Sequence, residues 1–257
     1  MNVSIIGSGN VAHHLANNLF NSGHRIVQVF SRNLDHAHEL ANIVNAEATN
    51  QIASIFPDAD FYLICVSDRA INEIADQWQF EPRLIAHTSG SIPMLALSKF
   101  KNHGVFYPLQ TFTKERAINL SQIPICIEAN HQEAKLLLMG LAKSISNNPI
   151  EMDSEQRKQC HLAAVFANNF VNHMYAVAQQ ILQDKNLPFE LIKPLITETA
   201  SKVQQLSPSE SQTGPAVRND LLVMEAHLHQ LKSDKLEKLY SFVSSSIQDF
   251  LDVKTKK

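Results

Sequence analysis

A glycine-rich segment near the N-terminus restricts the fold more strongly than any other feature of the chain. Residues 7–12 have the sequence Gly-Ser-Gly-Asn-Val-Ala, which fits the pattern Gly-x-Gly-x-x-Gly/Ala. The segment follows the apolar run 2–6 and precedes apolar residues that recur at helical spacing over 11–20. A second strand-like run follows at 25–30. Strand, glycine-rich turn, helix and strand together predict a βαβ unit.

Alternating strand and helix patterns continue through the first half of the chain. Strand-like apolar runs occur at 61–66, 84–87, 104–107 and 123–127, and a helical pattern covers 69–78. Alternation of this kind predicts a parallel sheet with helices on both faces. The expected fold is therefore an α/β fold with a Rossmann-type parallel sheet.

The pattern changes after residue 153, because no further strand-like run occurs and helical periodicity continues almost to the end. Helices are predicted at 154–184, 216–231 and 235–252, with a polar loop over 207–215. The predicted organisation is a Rossmann-type nucleotide-binding domain followed by an all-α domain for substrate binding and dimerisation, with bounds of 1–153 and 154–257.

The glycine-rich turn also predicts a nucleotide site. Gly7 permits the tight turn, Gly9 lets the backbone approach a pyrophosphate, and Ala12 permits close packing of helix on strand. After the second strand, Ser31 and Arg32 occupy the position where NAD sites place an acidic residue. A hydroxyl and a planar cation suit a 2′-phosphate, so we predict NADP in preference to NAD. A solvated surface charge is the alternative interpretation of Arg32.

Residues at the ends of the later strands should border the nicotinamide, because ligands of open α/β sheets bind outside the carboxyl ends of the strands. Ser89 and Ser91 are predicted to bind substrate, and Gly90 is predicted to permit a close backbone approach. Alternatively, the hydroxyl groups cap the following turn. The glycine-rich turn and three strand ends supply the predicted cofactor contacts, which are Gly7, Ser8, Gly9, Asn10, Val11, Ser31, Arg32, Val66, Ser67 and Thr88.

Three segments carry a family resemblance. They are His-Thr-Ser-Gly-Ser at 87–91, Phe-Tyr-Pro-Leu-Gln-Thr-Phe at 106–112 and Gly-Pro-Ala-Val-Arg-Asn-Asp at 214–220. The chain resembles a bacterial family of Rossmann-type oxidoreductases whose helical C-terminal domain has no assigned function. Its N-terminal half is similar to pyrroline-5-carboxylate reductases, deazaflavin-dependent NADP reductases and the 6-phosphogluconate and 3-hydroxyisobutyrate dehydrogenases. The resemblance implies an NAD(P)-dependent oxidoreductase with a C-terminal domain like that of 6-phosphogluconate dehydrogenase.

The resemblance fails at one catalytic position. In the related hydroxyacid dehydrogenases, the first long helix of the second domain presents a lysine and, about one turn later, an asparagine to the nicotinamide. Here Ala164 and Val165 stand one turn before Asn168 and Asn169, so the lysine is missing from its expected position. This departure raises the alternative of a non-catalytic NADP(H)-binding sensor or regulatory protein that acts through a partner.

A polar face of the same predicted helix offers a substitute. At about 100° per residue, His161, Asn168, Asn172 and Tyr175 lie within about 60° of one another. The predicted catalytic residues are His161, which donates or accepts the proton, and Asn168, which orients the substrate together with Asn172. Alternatively, these side chains face solvent or form hydrogen bonds between helices. Lys158 lies near this face, but a surface lysine is the preferred interpretation.

Further residues bear on ligand binding. Arg218 follows the polar loop and is predicted to bind a carboxylate or phosphate of the substrate, unless it pairs locally with Asp220 or Glu225. Histidine is abundant, with 12 among 257 residues, but the spacings His-x-x-x-His and His-Glu-x-x-His are absent. No metal site is predicted.

Charge and composition limit the partners. The formal net charge is −3 and no basic patch is evident, which argues against nucleic acids and membrane surfaces. No apolar run approaches the roughly 20 residues of a membrane span. Two of the three cysteines lie in strand-like runs, as expected for reduced thiols in a cytoplasmic protein. The small, apolar C-terminal domain predicts a homodimer formed largely through it.

The preferred function combines these features. We expect an NADP-dependent oxidoreductase that transfers hydride between the nicotinamide and a small, anionic substrate.

Overall fold

The computed structural model describes residues 1–255, which form one compact unit over 1–170 and a second from 171 onward. The strands of the first unit are β1 (Asn2–Ile6), β2 (Arg25–Phe30), β3 (Glu47–Thr49), β4 (Phe61–Ile64), β5 (Ile85–His87), β6 (His103–Pro108), β7 (Ile125–Ala129) and β8 (Pro149–Glu151). They form one sheet in the order β3-β2-β1-β4-β5-β6-β7-β8.

Both units contain helices. Those of the first unit are α1 (Asn10–Asn21), α2 (Leu34–Ile43), α3 (Asp68–Gln77), α4 (Gln132–Ile145) and α5 (Ser154–Ala164), followed by a π-helical segment at Val165–Phe170. Those of the second unit are α6 (Val171–Gln183), α7 (Lys193–Lys202), α8 (Pro208–Ser211), α9 (Leu221–Leu228) and α10 (Asp234–Thr255). The predicted fold class, a Rossmann-type α/β sheet followed by a helical region, is confirmed.

The sheet is buried on both faces, because successive residues of a strand point to opposite sides. In β4, Phe61 and Leu63 belong to the core cluster that contains the apolar residues of α1, α2 and α4. Tyr62 and Ile64 belong to the cluster that contains those of α3. All four side chains are fully buried. A strand covered on both sides therefore requires the continuous apolar run that the sequence shows.

Strand β7 is antiparallel to β6, so the expectation of an entirely parallel sheet is wrong at this edge. The connection over 109–124 contains a 3₁₀ turn at Leu120–Gln122 and no crossover helix. A parallel pair needs a crossover, usually a helix, that carries the chain back to the starting edge. Without a crossover, β7 begins at the same end of the sheet where β6 finished, and it therefore runs in the opposite direction. Helix α4 then connects β7 to β8, which are parallel.

Helix α9 is shorter than the predicted helix over 216–231. Asn219 has a φ of 51°, in the left-handed region, which interrupts any helix that begins at 216. Asp220 then caps α9 by accepting a hydrogen bond from the Val223 N–H at 3.2 Å. Pro215 therefore lies in the preceding turns and not in the first turn of a helix.

Helix α5 packs as part of the first unit, although it lies beyond the predicted domain boundary at 153/154. Arg157 is fully buried, forms an ion pair with Glu128 of β7 and donates to the Ile92 carbonyl oxygen at 2.6 Å. Ser154 Oγ donates to the Glu128 carboxylate at 2.8 Å. These contacts fasten the start of α5 to the sheet, so the compact units divide only after residue 170. The functional division at 153/154 stays a prediction.

We expect Arg157→Ala to lower the free energy of unfolding by about 3–5 kcal/mol, because the carboxylate of Glu128, which is only 15% exposed, would lose its charged partner and keep only Ser154. Lys158→Ala is the matched control on the same helix. The ion pair between Lys158 and Glu155 is exposed and should contribute about 0–1 kcal/mol. Chemical denaturation of the full-length variants measures both values. Equal losses would contradict a structural role for the buried ion pair.

Candidate functional site

The glycine-rich turn joins β1 to α1 and needs its two glycines for different reasons. Gly7 has a φ of 125°, and a Cβ there would lie 2.3 Å from the Cys65 carbonyl oxygen. This conformation and this close approach both require glycine. A Cβ on Gly9, by contrast, would meet no atom within 4 Å. The space above Gly9 is therefore open to a ligand.

Helix α1 begins at this open space without a side-chain cap. Gly9 is its N-cap residue, and no side chain accepts a hydrogen bond from the first-turn N–H groups. Uncapped N–H groups and the positive end of the helix dipole favour an anionic group. An open glycine beside an uncapped helix N-terminus therefore fits the pyrophosphate of a dinucleotide.

A first cavity, of about 500 Å³, extends from this turn along the end of β2. Ser8 Oγ donates to Ser31 Oγ at 2.8 Å, and the neighbouring Arg32 is exposed. Within the described part of the chain, Arg32 takes part in no ion pair. Asn33 and His36 continue the wall. The end of β2 thus presents hydroxyl, guanidinium, amide and imidazole groups, and Glu73 of α3 places a carboxylate in the wall of the same cavity.

A second cavity, of about 390 Å³, lies at the carboxyl edge of the sheet and shares Gly9 and Ser67 with the first. Ser67 is exposed, and its side chain does not cap α3. The structure brings all the predicted cofactor residues to the walls of these two cavities, namely Gly7, Ser8, Gly9, Asn10, Val11, Ser31, Arg32, Val66, Ser67 and Thr88. Their roles in binding stay predictions.

The loop after β5 is held together by its own side chains. Ser89 Oγ accepts hydrogen bonds from the N–H groups of Ser91 at 3.1 Å and Ile92 at 3.0 Å, which corresponds to the capping alternative. His87 Nδ1 accepts from the Ser89 N–H at 3.2 Å. Burial, reinforced by the Arg157 guanidinium, lowers the pKa of His87 to about 4, so this ring is neutral at pH 7. Ser91 lines the second cavity.

His161 on α5 contacts Tyr107 of β6. His161 Nδ1 lies 2.9 Å from Tyr107 Oη, and the rings meet edge to face with centroids 5.9 Å apart. A Cβ on Gly90 would lie 2.6 Å from His161 Nδ1 and 2.9 Å from Tyr107 Cζ. Gly90 therefore permits a close approach between groups of this chain. Sequence reasoning missed Tyr107, although its place at the end of the strand-like run 104–107 was a usable signal.

A third cavity, of about 430 Å³, has both predicted catalytic residues, His161 and Asn168, in its wall. The assumption of a regular α-helix is wrong over Val165–Phe170, because the π-helical turns there are wider and change the angle per residue. Asn172 and Tyr175 belong to the second unit, and Asn172 is exposed. The shared cavity thus joins two of the four residues of the predicted polar face.

Arg218 is exposed in the turns that precede α9. Asp220 caps α9 through the Val223 N–H, and Glu225 lies 3.9 Å from His229. Arg218 forms no ion pair with any described residue, so the alternative of a local pair is not observed. Its role in binding a substrate anion stays a prediction.

Two further features concern metals and membranes. Among the residues that the structure describes, no three histidine, cysteine, aspartate or glutamate side chains come together as metal ligands would. In the same part of the chain, no helix combines the length and the apolar character needed to cross a bilayer.

Two family models match the chain. The model described as "NADP oxidoreductase coenzyme F420-dependent" matches residues 2–88, within the first unit. The model described as "domain of unknown function (DUF2520)" matches residues 123–247. No curated protein matches the chain.

Solved structures extend this similarity over nearly the whole chain. A Bacteroides fragilis protein named "putative NADP oxidoreductase" is 44% identical, with a TM-score of 0.90 over 96% of this chain and 98% of that one. A Thermotoga maritima protein is 22% identical, with a TM-score of 0.77 over 95% and 99%. A 1-pyrroline-5-carboxylate reductase from Streptococcus pyogenes is 13% identical, with a TM-score of 0.64 over 97% and 98%. The last two share the fold.

Gly9→Ala should leave the fold intact, because Gly9 has a φ of −76° and its Cβ position is open. The added methyl group would occupy the proposed pyrophosphate position, so we expect NADPH affinity to fall at least about tenfold, or about 1.4 kcal/mol. Gly140→Ala in α4 is the control, since a Cβ there also meets no atom within 4 Å. Calorimetric titration with NADPH measures both. Unchanged affinity in Gly9→Ala would contradict this site.

Proposed function

Because the chain belongs to the family of the Bacteroides fragilis protein named "putative NADP oxidoreductase", we propose that it is an NADP-dependent oxidoreductase acting on a small substrate. The observation that carries the proposal is that the first two cavities share Gly9, Val66 and Ser67 in their walls. The first extends to the end of β2, and the second extends to His161. Both lie at the carboxyl edge of the sheet, where open α/β folds bind ligands.

Each part of the cofactor has a proposed contact. The pyrophosphate lies on the N-terminus of α1 at Gly9, the 2′-phosphate between Ser31 and Arg32, and the nicotinamide beside Val66 and Thr88. A bound nicotinamide supplies or accepts a hydride at the second cavity. NADP is preferred to NAD because Arg32, which forms no ion pair with any described residue, stands with Ser31 at the end of β2 where NAD sites place an acidic residue. The carboxylate of Glu73, in the wall of the same cavity, belongs to α3 and not to this position.

The proposed catalytic residues are His161 and Asn168. His161 lines both the second and the third cavity, so one face of its ring is accessible to a substrate held beside the nicotinamide. It would donate or accept the proton that accompanies hydride transfer. Asn168 in the third cavity would orient the substrate. Ser91, Asn172 and an anion contact from Arg218 complete the proposed substrate-binding residues, and Ser89 keeps only its hydroxyl hydrogen for this purpose.

A non-catalytic NADP(H) sensor is the second candidate. It is favoured by Ala164 and Val165, which line the third cavity where the related dehydrogenases carry an amine. The sensor and the enzyme share the cofactor groove and differ in turnover. Cofactor-dependent oxidation or reduction of any metabolite, followed by nicotinamide absorbance, would exclude the sensor.

Calorimetric titration with NADPH, NADP, NADH and NAD tests the cofactor assignment. We expect Arg32→Ala to weaken NADPH binding about 10- to 100-fold, because it removes charge-assisted hydrogen bonds of about 1.5–3 kcal/mol, and to leave NADH binding unchanged. Arg25→Ala is the matched control, since Arg25 is an exposed arginine at the opposite end of β2. Absence of binding by all four nucleotides would overturn the oxidoreductase proposal.

We also propose a homodimer formed through the C-terminal helices. Their exposed apolar side chains include Leu222, Phe242 and Phe250, which are 81%, 75% and 78% exposed. Large apolar surfaces of this kind mark association sites. Light scattering at micromolar concentration should give twice the chain mass, and Phe242→Glu should shift the mass towards the monomer. Leu95→Glu, at a residue of the first unit that is 69% exposed, is the control. A monomeric wild type would refute the dimer.

A further inference from the structure

Tyr107 and His161 form an enclosed contact at the carboxyl edge of the sheet, and Tyr107 has no part in the cofactor contacts above. The Tyr107 side chain is buried, and its Oη lies 2.9 Å from His161 Nδ1. The tyrosine lies on β6, the histidine lies on α5, and Gly90 lies in the loop after β5. The backbone of Gly90 packs so closely against both rings that there is no room for a Cβ. Arg157 anchors α5 one helical turn before His161.

The chemistry of the two groups assigns the proton between them. Burial raises the pKa of Tyr107 to about 12, so the phenol keeps its hydrogen at neutral pH. Among the described residues, His161 Nδ1 is the acceptor within hydrogen-bond distance of Oη. When Oη donates to Nδ1, a neutral imidazole carries its own hydrogen on Nε2.

His161 is the ionisable side chain of α5 that lines both the second and the third cavity. No lysine or arginine of the described chain lines either cavity; Tyr107 lines both, and Cys65 and Asp68 line the second. The ionisable neighbours of Tyr107 are Cys126 on β7, Cys160 and Arg157 on α5, and Asp68 at the start of α3. The two cysteines and Asp68 raise the pKa of Tyr107 further, and Arg157 opposes them.

We propose that Tyr107 is a positioning residue that holds His161 in the Nε2–H form, so that Nε2 gives a proton to a polarised C=O or C=N group of the substrate. The inference rests on the proposed function and names its substrate class. In reduction, the carbon gains a C–H bond from the hydride, and the π electron pair forms an O–H or N–H bond with the Nε2 proton. As Nε2 gives up its proton, Nδ1 takes the Tyr107 proton. Water then returns a proton to Nε2 while Nδ1 gives its proton back to the phenolate, which restores the Nε2–H form and the phenol. Oxidation reverses every transfer.

Nitrogen-15 chemical shifts of the histidine rings distinguish the two tautomers without any turnover. We would record them for full-length wild type and Tyr107→Phe, and use His161→Asn to assign the His161 signals. Tyr240→Phe is the matched control, because Tyr240 Oη lies 2.9 Å from His227 Nδ1 in an exposed pair of the second unit. We expect the Nε2–H form of His161 in wild type and Tyr240→Phe, and a mixture of tautomers in Tyr107→Phe.

Reduction of a panel of aldehydes, ketones and cyclic imines with NADPH gives the second measurement. Tyr107→Phe should lower kcat about tenfold or more and change its pH profile, while NADPH affinity stays constant. Tyr240→Phe should alter none of these quantities.

The outcomes separate the inference from the function on which it rests. An Nδ1–H form in wild type overturns the inference and leaves the oxidoreductase standing. The inference is also overturned, and the oxidoreductase left standing, if Tyr107→Phe changes neither the tautomer of His161 nor kcat. The Nε2–H form combined with no NADPH binding overturns the proposed function and the proton delivery with it. If thermal melting shows that Tyr107→Phe is unfolded, the tautomer of His161 in the wild type tests the inference: the Nε2–H form supports it and the Nδ1–H form overturns it.

Discussion

The ion pair between Arg157 and Glu128 is the interaction on which the candidate site depends. Burying two charges costs more free energy than their attraction returns unless the remaining donors and acceptors are satisfied. Here Arg157 also donates to the Ile92 carbonyl oxygen, and Ser154 donates to the same carboxylate, while the buried Arg157 Nε has no hydrogen-bond partner. The contact therefore joins three elements, namely β7, the loop after β5 and helix α5. His161 lies one turn beyond Arg157, so this anchor brings its ring against the sheet.

The geometry of a parallel sheet then concentrates the chemistry at one edge. The carboxyl ends of β1, β2, β4 and β5 meet there, so residues distant in sequence line two cavities that share wall residues. Two absent side chains make the space usable: Gly9 leaves room beside the uncapped helix, and Gly90 lets His161 reach Tyr107. The candidate nucleotide cavity and the cavity that His161 lines thus share Val66 and Ser67 in their walls.

Sequence patterns predicted the parts of this arrangement that depend on residues adjacent in the chain. The turn at 7–12 could be predicted because its backbone conformation requires glycine. The buried strands could be predicted because burial on both faces requires a continuous apolar run. The direction of β7 could not, since it depends on how 109–124 crosses the sheet edge. The π-helical segment Val165–Phe170 escaped for a related reason: its residues are compatible with an ordinary helix. The position of Tyr107 at a strand end was visible in the sequence, but its partner was not, because a strand tyrosine has the same pattern whether its hydroxyl faces water or a histidine.

By itself, the sequence determined the Rossmann-type class, the position of the glycine-rich turn between β1 and α1, and the residues Ser31 and Arg32 that follow β2, because each depends on adjacent residues. Only the tertiary structure decided that α5 packs with the sheet, that Ser89 caps its own loop and that Tyr107 meets His161 beneath Gly90. The first and the last of these join residues far apart in the chain, whereas the Ser89 cap is local and was one of two alternatives that the sequence left open. The existence of the long-range contacts depends on distances of a few ångströms between packed elements, which residue patterns do not encode.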